Sequence, residues 1–271
     1  MGGSAMLAAF GDASGDAGDR EMVRNARYIS LVLAAACPVI LIKHLGRPER
    51  FHHMLRIFKS KSVMSVGVWA LVAFSNVAVL TALAEVRGKG RSIAMLSIAQ
   101  ALLGAFIAGY TGVLISATAI PLWAKGKRHI PAAFVCSSLA AASAVNAALL
   151  ARKSSNAAAA RKLERLEAFA SLCEAVLLVH FKKAATTYGE PMFAGARGRR
   201  LRNWTFVGGI GIPVACHLAS SLKPKTRERK FWMTRLAPVL TLSGGYVLRE
   251  TLIEAGKASA DDPQLAFRQP E

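Results

Sequence analysis

The chain has 271 residues, 53% of them hydrophobic and only 19% charged, with a mean hydropathy of +0.35. That balance excludes an ordinary soluble domain, because the charges are bunched between long runs rich in Ala, Leu and Val. The formal charge of +19 argues for lipid headgroups rather than nucleic acid, since no basic stripe runs along a polar helix and no aromatic platform accompanies it.

The apolar runs, in chain order, lie near Ala26–Ile42, Val63–Val86, Ile93–Trp123, Pro131–Ala151, Leu163–Phe181, Trp204–Leu222 and Trp232–Ile253. About 20 apolar residues match the hydrocarbon core of a bilayer at 1.5 Å rise per residue. Backbone polar groups in lipid must be satisfied within their own segment, so these runs are predicted to be helices. A shorter piece, Gly2–Phe10, would cover only about 13 Å as a helix. It lacks a basic flank and a cleavage signature, and reads as the tail of an incomplete span. The expectation is an all-α polytopic transmembrane helix bundle over residues 1–271, with seven full spans plus a truncated first helix.

Alternating spans place the loops His44–Lys61, Lys125–His129 and Lys182–Arg202, together with the C-terminal tail, on one face, here face A. The loops Arg20–Arg27, Arg87–Arg91, Arg152–Arg165 and Lys223–Arg235 fall on the other, face B. Lys and Arg divide evenly between the two faces, so the positive-inside rule assigns no orientation.

Cys37, Cys136, Cys173 and Cys216 each fall on a different apolar run, with no C-x-x-C pair. They read as small apolar residues, and any iron–sulfur cluster belongs to another subunit. His180 and His217 sit toward opposite faces and cannot share a haem, while His44, His52, His53 and His129 read as interfacial. No metal site and no catalytic residue are expected in this chain.

Polar residues inside the runs carry most of the functional signal. Glu174 lies mid-span, where an ionised carboxylate is costly. Glu164, Glu167, Ser171 and Glu174 recur at spacings of three and four, hence on one helix face. That face could relay protons from face B toward the centre, with Glu174, Glu167 and Ser171 as its members. The plainer reading pairs Glu164 and Glu167 with Arg161 and Arg165 at the interface. Arg249 beside Glu250 likewise reads as an interfacial ion pair. Tyr110 needs a hydrogen-bond partner in hydrocarbon, either a quinone oxygen or a neighbouring helix carbonyl. Ala101, Ala105 and Gly109 form a small face suited to helix contact, and Gly208, Gly209, Gly211 and Pro213 suit close packing and a kink rather than a dinucleotide.

Three stretches carry a resemblance: LIKHLGRPERFHHMLRIFKSKSVMSVGVWAL from Leu41 to Leu71, GYTGVLISATAIPLWA from Gly109 to Ala124, and LAPVLTLSGGYVLR from Leu236 to Arg249. Together they resemble the NrfD-type family, to which the polysulfide reductase membrane subunit belongs. The resemblance implies a bundle of about eight helices without haem, in the bacterial cytoplasmic (inner) membrane. It implies a partner iron–sulfur electron-transfer subunit, often with a molybdopterin-containing catalytic subunit beyond it, and electron exchange with a quinone, menaquinone or ubiquinone. Some relatives are thought to move protons. It places Tyr110, with His44 and Arg47, at the quinone, and Arg47, Glu49 and Arg50 at the docking surface for the partner. It also implies a full first helix ending in Gly-Gly-x-Ala, where this chain has Met1 followed by Gly2, Gly3, Ser4 and Ala5; the polar groups of that helix are absent here. Many relatives carry Asp where this chain has His44. On the residues alone, Leu45–Phe51 is ordinary loop architecture or a docking surface, with Gly46 and Pro48 shaping the exit from the helix. The rival classes are a transporter or channel, which would show inverted repeats and broken midplane helices, and a structural anchor without a quinone site.

Overall fold

The computed structural model describes residues 1–88, 90–151, 157–222 and 227–262. Among these residues every regular element is helical. The helices are α1 (Gly2–Ser14), α2 (Arg20–Lys43), α3 (Phe51–Arg56), α4 (Val63–Val86), α5 (Gly90–Ser116), α6 (Pro121–Lys125), α7 (Ile130–Leu150), α8 (Ala157–Ala185), α9 (Glu190–Phe193), α10 (Gly195–Arg200), a π-helical segment (Leu201–Gly211), α11 (Ile212–Leu222) and α12 (Arg227–Asp261).

Among the described residues four helical stretches are long and apolar enough to cross a membrane: Ala17–Lys43, Val63–Val86, Ser92–Ser116 and Ile130–Leu150. In the first three only 17–22% of the most apolar window is buried, against 56% in α7. Helix α7 is therefore the central post, and α2, α4 and α5 present apolar flanks outward. The solvent-facing surface is correspondingly inverted: Val32, Met95 and Leu102 are 64%, 72% and 69% exposed, while Ser30, Gln100, Asn146 and Glu167 are buried. A water-soluble fold does the opposite, and such an apolar belt around a polar interior belongs in lipid.

The run expected at Ile93–Trp123 is broken. Helix α5 stops at Ser116, and α6 restarts at Pro121, because a proline is tolerated in a first helical turn but not in a helix interior. The segment expected as the loop Lys182–Arg202 is also largely helical, holding the end of α8, α9, α10 and the start of the π-helical segment. The three remaining expected runs fall on α8, on the π-helical segment with α11, and on α12.

The short N-terminal piece extends to Ser14 and ends on Gly15, whose φ of 63° is the left-handed conformation that closes a helix. At 13 residues α1 is roughly 20 Å long. It is wedged among α2, α5 and α7. Its glycines permit this: a Cβ on Gly2 would lie 2.1 Å from the Gly104 carbonyl oxygen, and one on Gly3 would lie 2.1 Å from that of Ser138. Gly104 and Ser138 both lie near the middle of their helices, so α1 occupies only the face B half of the bundle.

Candidate functional site

At face A the exit from α2 is closed by His44. Its backbone N–H bonds to the last turn, and its Nδ1 lies 2.8 Å from the Ile40 carbonyl oxygen. The chain then passes through Gly46 and Arg47 into a single 3-10 turn, Pro48–Arg50, and on into α3. His44, Arg47 and Glu49 are exposed. Among the described residues no ion pair joins Arg47 to Glu49; the Arg50 side chain lies outside the described residues.

Tyr110 comes to the same face. It lies near the end of α5, and its hydroxyl donates to the Val63 carbonyl oxygen at 2.7 Å. Val63 opens α4, the helix that follows the His44–Ser62 segment. The ring lies so close to Gly67 that a Cβ there would approach it to 2.0 Å, and Phe106 stacks on it with centroids 6.0 Å apart. Of the two partners open to Tyr110, the helix carbonyl is the one seen. The phenol proton is committed to it, while the oxygen keeps its capacity to accept. No hydrogen bond joins Tyr110 to His44 or Arg47 among the described residues.

The α8 face is buried: Glu167, Ser171 and Glu174 are 1%, 1% and 5% exposed. Glu167 does not pair with Arg161 or Arg165. One of its carboxylate oxygens accepts from Thr241 Oγ1 of α12 at 2.8 Å, and the other lies 3.0 Å from His217 Nε2 of α11. Two turns along, Glu174 lies beside Ser137 of α7 and near Arg249 of α12. Arg249 turns inward as well. Its Nη1 bonds the Gly245 carbonyl at 2.8 Å and Ser137 Oγ at 3.4 Å, and the guanidinium sits 4.8 Å over the Phe134 ring. The expected Arg249–Glu250 pair is not formed; Glu250 instead pairs outward with Arg200 at 2.6 Å. Glu174 Oε1 and Ser171 Oγ are buried without a hydrogen-bond partner. From Glu167 to Glu174 the helix rises about 10 Å, so three buried ionisable or hydroxylic groups span the middle of the bundle.

A second polar group lies in the N-terminal half. Arg27 bonds Asp12 at 2.5 Å and Glu85 at 3.3 Å, and Ser97 donates to the same Asp12 oxygen. One turn deeper Gln100 donates to Ser30 at 3.1 Å. Sequence reading placed Arg27 in a face B loop and missed this group, as it missed His217 and Thr241 as partners of Glu167. The available signal was a polar residue inside an apolar run, as at Gln100 and Ser137. No group of three His, Cys, Asp or Glu among the described residues is placed to hold a metal ion, and the four cysteines are free and half-buried.

A comparison with protein-family models matches residues 3–260 to the family described as polysulphide reductase, NrfD. The chain belongs to the NrfD family. No curated protein and no solved structure matches it significantly. The NrfD match runs from α1 almost to the end of α12, and so takes in the Leu45–Phe51 turn, Tyr110 and the whole α8 face. NrfD-family chains are membrane subunits of oxidoreductase complexes of the polysulphide reductase type, typically with an iron–sulfur subunit. With the apolar helices, this makes the chain an integral, multi-pass membrane protein.

Proposed function

We propose that this NrfD-family chain exchanges electrons between a membrane quinone, menaquinone or ubiquinone, and an iron–sulfur partner subunit at face A, with a molybdopterin catalytic subunit beyond that partner. Seven helical spans cross the bacterial cytoplasmic membrane, and α1 packs beside them. Per quinone, two electrons pass to or from the partner and two protons are exchanged.

The observation that carries the reading is the position of Tyr110 against the first turn of α4, at the face where α2 ends in His44 and the Arg47–Glu49–Arg50 turn is presented. The residues fit a quinone headgroup. The Tyr110 oxygen can accept from a hydroxyl of the reduced quinol, and Arg47 supplies donors toward a quinone carbonyl. His44, anchored through Nδ1 to Ile40, leaves Nε2 for the headgroup. Arg47, Glu49 and Arg50 form the polar rim on which the partner docks. Glu167, Ser171 and Glu174 carry protons between face B and the centre, and His217, Thr241, Ser137 and Arg249 hold those groups in place. A carboxylate this deep in a membrane protein is more often functional than structural.

The decisive measurement is quinone-linked turnover in the assembled complex. Tyr110→Phe removes the hydroxyl while keeping the ring against Gly67. It is expected to raise the quinone KM with assembly unchanged. Unchanged KM and kcat in both Tyr110→Phe and His44→Ala would leave the chain a structural anchor. Glu174→Gln is expected to keep quinone turnover under uncoupled conditions and to lower proton movement; unchanged proton movement would remove Glu174 from the path.

A further inference from the structure

A cleft of about 550 Å³ opens at face B between the end of α1, the first turns of α2 and the last turn of α4. Its walls carry both signs of charge: Arg20, Arg24 and Arg27 on one stripe of α2, and Asp12, Asp16, Glu21 and Glu85 around them. Spacings of four and three put the arginines on one helix face. Arg27 is the buried base of the cleft, 9% exposed, with its two terminal nitrogens on Asp12 and Glu85 and its Nε without a partner. Asp12 is further occupied by Ser97, and Asp16 by Lys162 and the Gly18 N–H.

The groups left to a ligand are specific. Arg20 and Arg24 are exposed and make no hydrogen bond or ion pair among the described residues. Glu85 is 36% exposed along its side chain and holds Arg27 through one oxygen at 3.3 Å, which leaves the other oxygen to accept. A purely anionic ligand would meet four carboxylates, and a purely cationic one would meet two open guanidiniums. A ligand with one phosphate and one primary ammonium satisfies both. The cleft also lies at the end of apolar helices, at the depth of lipid headgroups, and its rim is flanked by Tyr28 and Val86, 60% and 87% exposed. Acyl chains have an apolar surface there to follow.

We propose that this cleft binds the phosphoethanolamine headgroup of a membrane phospholipid, with Arg20 and Arg24 on the phosphate and Glu85 on the ammonium. The site is separate from the quinone region at face A and does not depend on that assignment. Guanidinium–phosphate and ammonium–carboxylate contacts are charge-assisted, and basic pockets between membrane helices recognise headgroups in this way.

The test is native mass spectrometry of the assembled complex, delipidated in mild detergent and returned to equal amounts of phosphatidylethanolamine, phosphatidylcholine and phosphatidylglycerol with the same acyl chains. Phosphatidylethanolamine should be retained over the other two by about tenfold, the factor that 1.4 kcal/mol represents. Trimethylation removes the ammonium donors in one competitor, and the other has no ammonium. The double substitution Arg20→Ala with Arg24→Ala touches no partnered side chain and should abolish the preferred retention. Glu85→Gln should lower phosphatidylethanolamine to the phosphatidylcholine level. Lys127→Ala, on the opposite face, should leave the preference intact. Equal retention of the three lipids would overturn the proposal, as would a preference that persists in the cleft variants. Soluble glycerophosphoethanolamine binding as tightly as the lipid would overturn the lipid assignment in favour of a free zwitterion.

Discussion

Placing a single methyl group at Gly67 tests the geometry of the Tyr110 region directly. A Cβ at Gly67 would stand 2.0 Å from the Tyr110 ring and 2.2 Å from its hydroxyl oxygen. Carbon atoms in contact rest at about 3.5–4.0 Å, so the ring must retreat by roughly 1.5 Å. Its hydroxyl then loses the 2.7 Å bond to Val63. Overpacking of this kind costs about 1–3 kcal/mol and the lost hydrogen bond about 1 kcal/mol more. Gly67→Ala is therefore expected to destabilise the protein by roughly 2–4 kcal/mol. Thermal unfolding of the purified chain in detergent measures this, at roughly 2–4 °C per kcal/mol for a chain of this size. The cause is isolated by a double-mutant cycle with Tyr110→Leu, in which the smaller side chain makes room for the methyl group. A coupling of about 1–3 kcal/mol is expected. If Gly67→Ala unfolds with wild-type stability, or if the two substitutions simply add, the close packing of Tyr110 on α4 is wrong, and the quinone assignment loses its scaffold.

Helix packing gives a parallel case at Gly209 and Gly244, where a Cβ on either would lie 2.5–2.7 Å from the other's Cα. Backbone cannot yield as a side chain can, so Gly244→Val should force α12 from the π-helical segment and lower the yield of folded protein more than Gly245→Val does. His217→Leu removes one of the two partners of buried Glu167 and should cost about 1–3 kcal/mol, the penalty for an unmet charge-bearing group; the paired change with Glu167→Leu should recover most of it, as read by unfolding in detergent. The Asp16–Lys162 contact at face B predicts a pH dependence. The hydrogen bond from Lys162, reinforced by the Gly18 N–H, holds the Asp16 carboxyl below its ordinary range, and the bond to Asp16 pushes the Lys162 ammonium above its own. The carboxylate's contribution is present above its unfolded value and fades as pH falls through the lowered one. The ammonium's contribution is present below its unfolded value and fades as pH rises through the raised one. Lys162→Met should shrink the acid limb to what the Gly18 N–H supplies, and both partners are exposed enough that added salt should weaken the contact in the parent.

Most of the fold was legible as hydropathy. Helix α4 spans the expected residues 63–86, and α7 differs from expectation by one residue at each end. Uniformly apolar runs have few competing solutions in lipid. The run at 93–123 misled because apolarity does not register a break that Pro121 makes by geometry. The site was legible only in part, for a related reason. Sequence shows only neighbours along the chain, so Glu167 suggested the nearby Arg161 and Arg165, whereas its partners lie 50 and 74 residues away. Arg249 and Glu250 are adjacent in the chain but about 100° apart around a helix. One therefore faces Ser137 and the other Arg200. The sequence left Tyr110 two partners, and only packing against Gly67 distinguishes the carbonyl it uses.

The π-helical segment from Leu201 to Gly211 behaves as a rotary coupling between the two ends of its helix. Each residue that a π turn accommodates beyond an α turn rotates everything downstream by about 100°. His217 reaches Glu167 from the far side of that coupling. Its aim is set by how many residues lie upstream, and far less by which residues they are. Deleting one residue between 202 and 210 would swing the imidazole off the α8 carboxylate although His217 and Glu167 themselves are unchanged. Length, here, is the encoded quantity.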